Sequence, residues 1–196
     1  MASKTEQETE EKEDTLNEIW DNPMKRPFLE KVVLNIGVGT GGEELERAVS
    51  VLGEISGKEP VKTLAKVNVK EFNIRKGRPI GTKVTVRGEE AEKLLKRLLV
   101  VNDNKVLKKS FDNYGNFGFG IKEHISIPGV EYDTRIGILG LDVCARIIRP
   151  GMRVKIRKAP KKAKIPKEHY VSKEEAQQFL EEKFNTKIVE KIVREY

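Results

Sequence analysis

Apolar residues recur at helical spacing in three segments of the chain, and the first and third of these segments also carry signals for their ends. The first, residues 43–56, opens with acidic residues and is followed by Gly57, a favourable C-terminal cap. The second covers residues 89–101, and the third, 172–184, opens with a capping-box pattern. The pattern therefore predicts three helices, with the apolar stripes Leu45, Ala48, Val49, Leu52 and Ile55; Ala91, Leu94, Leu95, Leu98 and Leu99; and Ala176, Phe179, Leu180 and Phe184.

Apolar and polar residues alternate in five other segments, which is typical of half-buried strands. These predicted strands cover residues 31–37, 61–72, 82–87, 119–127 and 141–147. Strands with one apolar face and helices with one apolar stripe favour a two-layer arrangement. We therefore predict an α+β fold, in which a mostly antiparallel, curved sheet carries helices on one face and leaves the other face open.

The polar side of the predicted strands collects cations around one aromatic residue. In the segment 61–72, lysines occupy alternate positions opposite Val61, Thr63, Ala65, Val67 and Val69, which are expected to point inward. Such a surface suits phosphates and a packed base. The uncovered face is predicted to hold Lys31, Asn35, Lys62, Lys66, Lys70, Phe72, Lys83, Thr85, Arg87, Lys122, His124 and Arg146.

Charge is distributed unevenly along the chain, whose formal net charge is +7. Residues 58–87 contain nine cations and two acids, and residues 151–167 contain eight cations and no acid. Basic runs of this density indicate a polyanionic partner, whereas a charge-rich surface of the heat-adapted type would mix both signs. The first 14 residues are acidic and aperiodic and are expected to be disordered, with one helical turn at Leu16, Ile19 and Trp20.

Composition limits the other possibilities. One cysteine rules out an internal disulfide, and two histidines with that cysteine cannot complete a four-ligand zinc site. No apolar run reaches the length of a membrane helix and the N-terminus does not resemble a secretory signal, so a soluble cytoplasmic protein is expected. We predict a tail at 1–22, a binding domain at 23–149, and a basic extension with a closing helix at 150–196 that packs on the same domain.

An enzymatic reading starts from the glycine pattern at residues 37–42, which matches G-x-G-x-x-G between a strand and a helix. That motif requires a parallel second strand, buried and ending in an acid, but the next predicted strand carries alternating lysines. His124, His169, Asp112 and Asp133 have no catalytic partner at a recognisable spacing. We therefore expect no enzymatic activity, no metal and no cofactor, and take the glycines as a tight turn.

Five segments together resemble the fifth large-subunit ribosomal protein family, in its archaeal and eukaryotic form. They are VVLNIGVG at 32–39, ISGKEPVKTLAK at 55–66, FNIRKGRPIGTKVTVRG at 72–88, FDNYGNFGFGIKEH at 111–124, and GVEYD with IGILGLDV within 129–143. The resemblance covers residues 23–148 in order. The chain departs from the family at Lys58, where bacterial members often carry glutamine. The lysine would contact a phosphate, whereas the glutamine would make an amide hydrogen bond.

The resemblance implies a sheet that cradles 5S rRNA in the central protuberance, beside large-subunit rRNA and other 5S rRNA-binding proteins. Asn35, Phe72 and Thr85 would face the RNA. A loop would approach P-site tRNA, and the region 131–140 would bridge to a protein of the small-subunit head. The tRNA-contacting loop would comprise Asn73, Arg75, Lys76, Gly77, Arg78 and Pro79.

The leading hypothesis is thus a non-enzymatic ribosomal protein that binds rRNA. A sequence-tolerant single-stranded RNA binder is an alternative, although such platforms display two or three aromatic residues on central strands. A dinucleotide-binding enzyme is a more remote one. The predicted RNA-binding residues are Lys31, Asn35, Lys58, Lys62, Lys66, Lys70, Phe72, Lys83, Thr85, Arg87, Lys122, Arg146, Arg153, Lys155, Arg157 and Lys158.

Overall fold

The computed structural model describes residues 20–39, 41–130, 133 and 135–190. Its main sheet has five strands, which are β1 (Phe28–Gly37), β2 (Val61–Leu64), β3 (Pro79–Arg87), β5 (Asn116–Ile121) and β6 (Leu141–Ile148). Their order across the sheet is β2-β3-β1-β6-β5. A small second sheet pairs β4 (Lys105–Leu107) with β7 (Lys187–Val189), and the helices are α1 (Glu43–Ser56), α2 (Glu89–Val100) and α3 (Lys173–Phe184).

Every strand pair in the main sheet is antiparallel, and one face of that sheet forms the core with the helices. On β1, Leu29, Val32, Leu34 and Ile36 are buried, and the alternate residues are not. The buried strand residues belong to the same apolar cluster as the stripes of the three helices. The predicted α+β architecture, with a mostly antiparallel sheet and helices on one face, is confirmed.

The helices match their predicted stripes closely because 3.6-residue periodicity and terminal signals agree. All five predicted stripe residues of α2 and all four of α3 are buried. In α1, Val51 is buried where Val49 was predicted, and Gly57 caps the helix in the left-handed conformation. At the start of α3, Ser172 and Glu175 form the predicted capping box in both directions.

Two predicted strands are too long. The segment 61–72 is a strand only to Leu64, and a register shift between Thr63 and Leu64 precedes its end. The segment 119–127 ends as a strand at Ile121, after starting at Asn116, and turns into a 3₁₀ helix at His124–Ser126. Conversely β1 starts three residues earlier than predicted, and the parallel pair β4–β7 was not predicted.

The C-terminal part of the chain is fastened to the end of β6 by polar contacts. Arg149 hydrogen-bonds the Glu175 carboxylate through Nη2, and its Nη1 donates to the carbonyl oxygen of Glu168 at 3.0 Å. The ring Nε2 of His169 lies 2.7 Å from the carbonyl oxygen of Pro150. These contacts join the basic segment and α3 to the main sheet.

Some predictions fall outside the described residues. They are the disorder of residues 1–14, the helical turn at Leu16 and Ile19, and, within the predicted bridging segment, Glu131, Tyr132 and Thr134. Among the helices in the part of the chain that is described, none has the length and apolarity that a membrane span requires.

Candidate nucleic-acid interface

The open face is the side of the main sheet opposite the helices, and β3 with β1 gives it most of its cations. On β3, Lys83, Thr85 and Arg87 are exposed, whereas the alternate residues Thr82, Val84 and Val86 are buried. On β1, Lys31 lies opposite Arg87 and Asn35 lies opposite Lys83 in the strand register. Cross-strand partners share a face, so the predicted positions Lys31, Asn35, Lys83, Thr85 and Arg87 form one contiguous surface.

The other half of the open face differs in character. Arg146 on β6 lies opposite Lys31, which puts Arg87, Lys31 and Arg146 in one row across three strands. Beyond it β5 presents Asn116, Gly118 and Gly120 on this side. The β5 edge is therefore low and nearly free of side chains, and a ligand's backbone could approach it closely. The residues that β6 adds to the face are Asp142, Cys144 and Arg146.

Lys62 lies on the helix side of the sheet, so the prediction that it belongs to the open face is wrong. In the register of β2 and β3, Val61 is opposite Lys83 and Lys62 is opposite the buried Thr82. Lys62 accordingly pairs with Glu46 on α1, and Val61, predicted to point inward, is 61% exposed. The predicted period of alternation in this edge strand is correct, but the predicted inward and outward sides are exchanged.

Lys58 is also engaged on the helix side. Its Nζ lies 2.6 Å from Oε2 of Glu90, in the first turn of α2. The hydrogen bond from Lys58, together with its charge, lowers the pKa of the Glu90 carboxyl below its ordinary value. The predicted phosphate contact would have to displace this exposed ion pair.

Lys66, Lys70 and Phe72 do not lie on a strand, because β2 has ended. They belong to an excursion, residues 65–78, that leaves the sheet between β2 and β3. Phe72 lies within it and is 71% exposed, so the alternative that it is a core aromatic is wrong. All three side chains are exposed to solvent and accessible to a ligand.

The excursion is organised by its own hydrogen bonds. Val69 and Ile74 exchange two backbone hydrogen bonds around a turn in which Asn73 has a φ of 52°. Nearer the base, the amide of Gly77 donates to Ala65, and the amide of Lys76 donates to Oδ1 of Asn68 at 2.7 Å. The predicted loop therefore has a defined shape, in which Asn73, Arg75, Lys76, Gly77 and Arg78 are exposed and Pro79 opens β3.

The two predicted open-face residues after β5 differ in exposure. Lys122 is exposed in the turn that follows Ile121. His124 is only 2% exposed and is not on the open face: its Nδ1 accepts a hydrogen bond from the amide of Leu139, and its own amide donates to the Leu139 carbonyl. The strand prediction failed here because Ile125 and Ile127 continue the alternation through a 3₁₀ turn.

The basic segment after β6 borders the open face. Met152–Lys155 form a 3₁₀ helix anchored by the buried Met152. A groove of about 480 Å³ between this segment and the sheet is lined on opposite sides by Arg87 and Arg146 and by Arg153 and Arg157. Lys155 lines an adjoining groove that also contains Arg146, and Lys158 is exposed. The predicted basic residues thus extend the open face past its edge.

Glu30 is a residue of this surface that the sequence prediction missed. Its Oε1 lies 3.3 Å from Nη1 of Arg87 and its Oε2 lies 3.2 Å from Nε of Arg146. The predicted strand began at Lys31, so Glu30 lay outside it. The three-residue step between the apolar positions Leu29 and Val32 is the signal that could have revealed a bulge here.

The structure argues against both alternative functions. The amides of Val38 and Gly39, in the glycine-rich turn, donate to the carbonyl of Ile80, and both neighbours of β1 are antiparallel. A dinucleotide fold would require a parallel neighbour at this place. Phe28, at the start of β1, is the one aromatic residue of β1, β3 and β6 that borders the open face, whereas single-stranded RNA platforms display two or three aromatic residues on central strands. Within the described ranges, no three His, Cys, Asp or Glu side chains cluster as metal ligands would.

The fold and this surface define an α+β protein whose antiparallel sheet carries helices on one face and a row of cations on the other. Comparison with known families makes the class specific. The family model described as "Ribosomal protein L5" matches residues 22–75, and a second model, which describes the C-terminus of the same ribosomal protein family, matches residues 79–179.

Curated relatives agree with these matches. "Large ribosomal subunit protein uL5" of Sulfurisphaera tokodaii is 52% identical over 170 residues, which cover 86% of this chain and 96% of that protein. The protein of the same name from Pyrobaculum aerophilum is 49% identical over 160 residues, covering 82% and 89%. That from Nitrosopumilus maritimus is 44% identical over 173 residues, covering 88% and 99%.

The chain therefore belongs to the ribosomal protein L5 family, in its archaeal form. Members of this family are structural proteins of the large ribosomal subunit and not enzymes. The chain is therefore a structural component of the ribosome, in the cytoplasm. Binding of rRNA and a part in translation follow from that membership.

Proposed function

We propose that the open face binds 5S rRNA and that the chain helps to attach this RNA in the central protuberance of the large subunit, next to other 5S rRNA-binding proteins. One observation carries the proposal: Lys83, Thr85 and Arg87 stand exposed on β3 beside Lys31 and Asn35 on β1. The three β3 side chains are exposed to solvent, whereas the residues that alternate with them on β3 are buried on the helix side.

The physical basis is counterion release combined with shape. Each lysine or arginine that neutralises a phosphate releases condensed ions, so affinity depends on salt concentration. Asn35 and Thr85 carry hydrogen-bonding groups for bases or 2′-hydroxyls at the centre of the face. The guanidinium groups of Arg87 and Arg146 can each contact a phosphate through two donors.

The groove beside the basic segment extends the same interface. Arg146 lines both this groove and the adjoining one, so the basic surface of the sheet continues into that of the segment. An RNA backbone that crosses β3 and β1 would therefore meet Arg153 and Arg157 next. We infer that this segment also contacts the large-subunit rRNA surrounding the protuberance.

A salt titration of binding tests this function. The affinity of the purified protein for 5S rRNA, for tRNA and for an unrelated structured RNA of similar length would be measured from low to physiological salt. A preference for 5S rRNA that persists at physiological salt is expected. Equal affinities that fall together with salt would mean that the cations attract any polyanion, and would contradict the proposal.

We infer, in addition, that the excursion contacts the P-site tRNA. Arg75, Lys76 and Arg78 are exposed on a loop whose shape is held by the hydrogen bonds of Asn68 and Ala65. Three cations on a protruding, ordered loop suit the backbone of an RNA that binds and leaves. Replacing all three by alanine should weaken tRNA binding to the P site of reconstituted subunits and leave 5S rRNA binding unchanged; loss of both would contradict a separate tRNA contact.

We propose that the region 131–140 meets a protein of the small-subunit head. In its described part, Ile138 is 60% exposed beside Gly137, whose φ is +75°. An exposed aliphatic residue on a loop suits a small protein contact. Replacing Ile138 with Asp should weaken the association of reconstituted subunits without affecting 5S rRNA binding, and unchanged association would contradict the assignment.

A further inference from the structure

Glu30 occupies an irregular position in the central strand. In the pairing of β1 with β6, Leu29 lies opposite Ile147 and Lys31 lies opposite Arg146, which leaves Glu30 as the extra residue of a β-bulge. Leu29 is buried in the core, whereas Glu30 and Lys31 are both outside it. The bulge therefore places an acid and a cation next to each other on the open face, where a regular strand would place only one of them.

The carboxylate of Glu30 bridges two arginines from strands on either side of its own. It lies 3.3 Å from Arg87 on β3 and 3.2 Å from Arg146 on β6. The Glu30 side chain is 16% exposed, and its Oε2 is shielded from solvent. Within the described residues, Glu30 is the only ion-pair or hydrogen-bond partner of either guanidinium group.

An acid at this place has two opposing effects on RNA binding. Its negative charge repels phosphates, so it lowers the affinity of the face for any polyanion. However, a free arginine side chain loses rotamer freedom when it binds a ligand, and a side chain already held in place loses less. The row of Arg87, Lys31 and Arg146 would also be dispersed by mutual repulsion without a carboxylate between them.

We propose that Glu30 is a positioning residue that makes the open face selective: it fixes Arg87 and Arg146 at one spacing, which favours an RNA whose phosphates or base edges match that spacing over other polyanions. This inference rests on the proposed binding of structured RNA to the open face. The fixed pair faces the groove formed with the basic segment, where Phe28 and Ile156 supply apolar surface. The matching ligand is a folded RNA, which holds its phosphates and base edges at a fixed spacing, rather than a flexible polyanion.

The test compares wild type with Glu30→Gln, which keeps the shape of the side chain and removes its charge. Glu46→Gln is the matched control, because Glu46 also pairs with a cation but lies on the helix side. Affinities for 5S rRNA and for an unrelated structured RNA would be measured at one salt concentration, with melting temperatures as a check on folding. Because Arg87 and Arg146 would then lose rotamer freedom only on binding, the E30Q variant should lose roughly fivefold to tenfold of its preference for 5S rRNA.

The direction of each affinity matters as well. The E30Q variant should bind the unrelated RNA more tightly than wild type does, because a repelling charge is gone. Its affinity for 5S rRNA should be equal to or lower than that of wild type. The E46Q variant should keep the wild-type preference. Equal tightening for both RNAs, or an equal loss of preference in E46Q, would overturn the positioning role.

A second variant keeps the inference falsifiable should E30Q fold poorly. The double variant Arg87→Lys and Arg146→Lys retains both charges and their attraction to Glu30 but loses the planar guanidinium groups. It should retain the salt dependence of wild type and lose the preference for 5S rRNA; a retained preference would overturn the inference. A wild-type protein that shows no preference would overturn both this inference and the proposed function, whereas a preference that survives in both variants would overturn the inference alone.

Discussion

Val61 lies directly opposite Lys83 in the pairing of β2 and β3, so a valine shares the open face with the lysine while Lys62 turns towards Glu46 on α1. This relationship reverses the two sides that the alternating pattern of residues 61–72 predicted. It also separates the lysines of this region into two groups. Lys83 is available to a ligand on the open face, and Lys62 belongs to the helix layer.

The β5 edge of the open face, which is nearly free of side chains, provides a steric test of RNA binding. A Cβ atom at Gly120 would lie 3.7 Å from Oδ1 of Asp142, an ordinary contact, so a side chain fits the free protein. Replacing Gly120 with Val should leave the melting temperature unchanged or raise it, since valine favours strands. If RNA packs on β5, affinity for 5S rRNA should fall by roughly tenfold, about 1.4 kcal/mol.

A size series serves as the control for Gly120. Replacement with Ala should have a smaller effect on RNA affinity than replacement with Val, because a methyl group intrudes less. RNA binding that is indifferent to Val at this position would mean that the ligand stays on β3 and β1 and does not reach β5.

Phe72 tests whether the excursion takes part in binding 5S rRNA. Because the ring is 71% exposed, replacing it with Ala should leave the free energy of unfolding nearly unchanged. If a base stacks on the ring, the affinity for 5S rRNA should fall by roughly 1–3 kcal/mol. Val67→Ala is the control, since Val67 is similarly exposed in the same excursion and offers no ring. Equal effects of the two replacements would argue against stacking.

The buried pair of Arg149 and Glu175 should dominate the attachment of the C-terminal part. Both side chains are less than a tenth exposed, and the second carboxylate oxygen of Glu175 caps α3 through the amide of Ser172 at 2.9 Å. Replacing Arg149 with Met leaves a buried charge unpaired, so urea unfolding should show a loss of roughly 3–5 kcal/mol. Such a loss would support the proposal that residues 150–196 fold with the rest of the domain.

A matched control exists on the surface of the same helix. Lys183 pairs with Glu92, and their side chains are 36% and 31% exposed. Replacing Lys183 with Met should cost less than about 1 kcal/mol, because exposed pairs contribute little. Similar losses for the two replacements would contradict a special role for the pair of Arg149 and Glu175.

The pair of Lys58 and Glu90 predicts a pH dependence of stability. Lys58 lowers the pKa of Glu90 below its ordinary value of 4.5, so the unfolded chain binds this proton more tightly than the folded chain does. The stabilisation is therefore fully present above pH 4.5 and disappears as the pH falls through the lowered pKa. The melting temperature of Lys58→Met should lie slightly below that of wild type at pH 7, and the two should converge in acid. A gap that persists in acid would show that the lysine stabilises the fold by other means.

The sequence predicted those features that depend on local, repeated signals. The predicted stripes of α2 and α3 are correct because the apolar spacing is regular in both helices, and in α3 the capping box indicates the same helix. The predicted side of the sheet is correct for the cations of β3 and β1. Both strands are central, and burial of one side enforces the alternation.

The errors arise where tertiary partners decide. β2 is an edge strand with no neighbour beyond it, so nothing buries Val61 and the alternation alone cannot tell which side faces the core. The bulge at Glu30 depends on the pairing with β6, more than a hundred residues away in the chain. The parallel pair of β4 and β7 joins two three-residue segments, which are too short to produce a periodic signal.

The most direct test of the central claim is the salt dependence of 5S rRNA binding for two triple variants that remove the same charge. One replaces Lys31, Lys83 and Arg87 with alanine on the open face, and the other replaces Lys62, Lys93 and Lys96 with alanine on the helix side. Each lost phosphate contact should flatten the slope of log K against log salt by about 0.7–0.9. The account predicts a slope smaller by roughly two to three units for the open-face variant and a nearly wild-type slope for the other. Equal slopes in the two variants would contradict it.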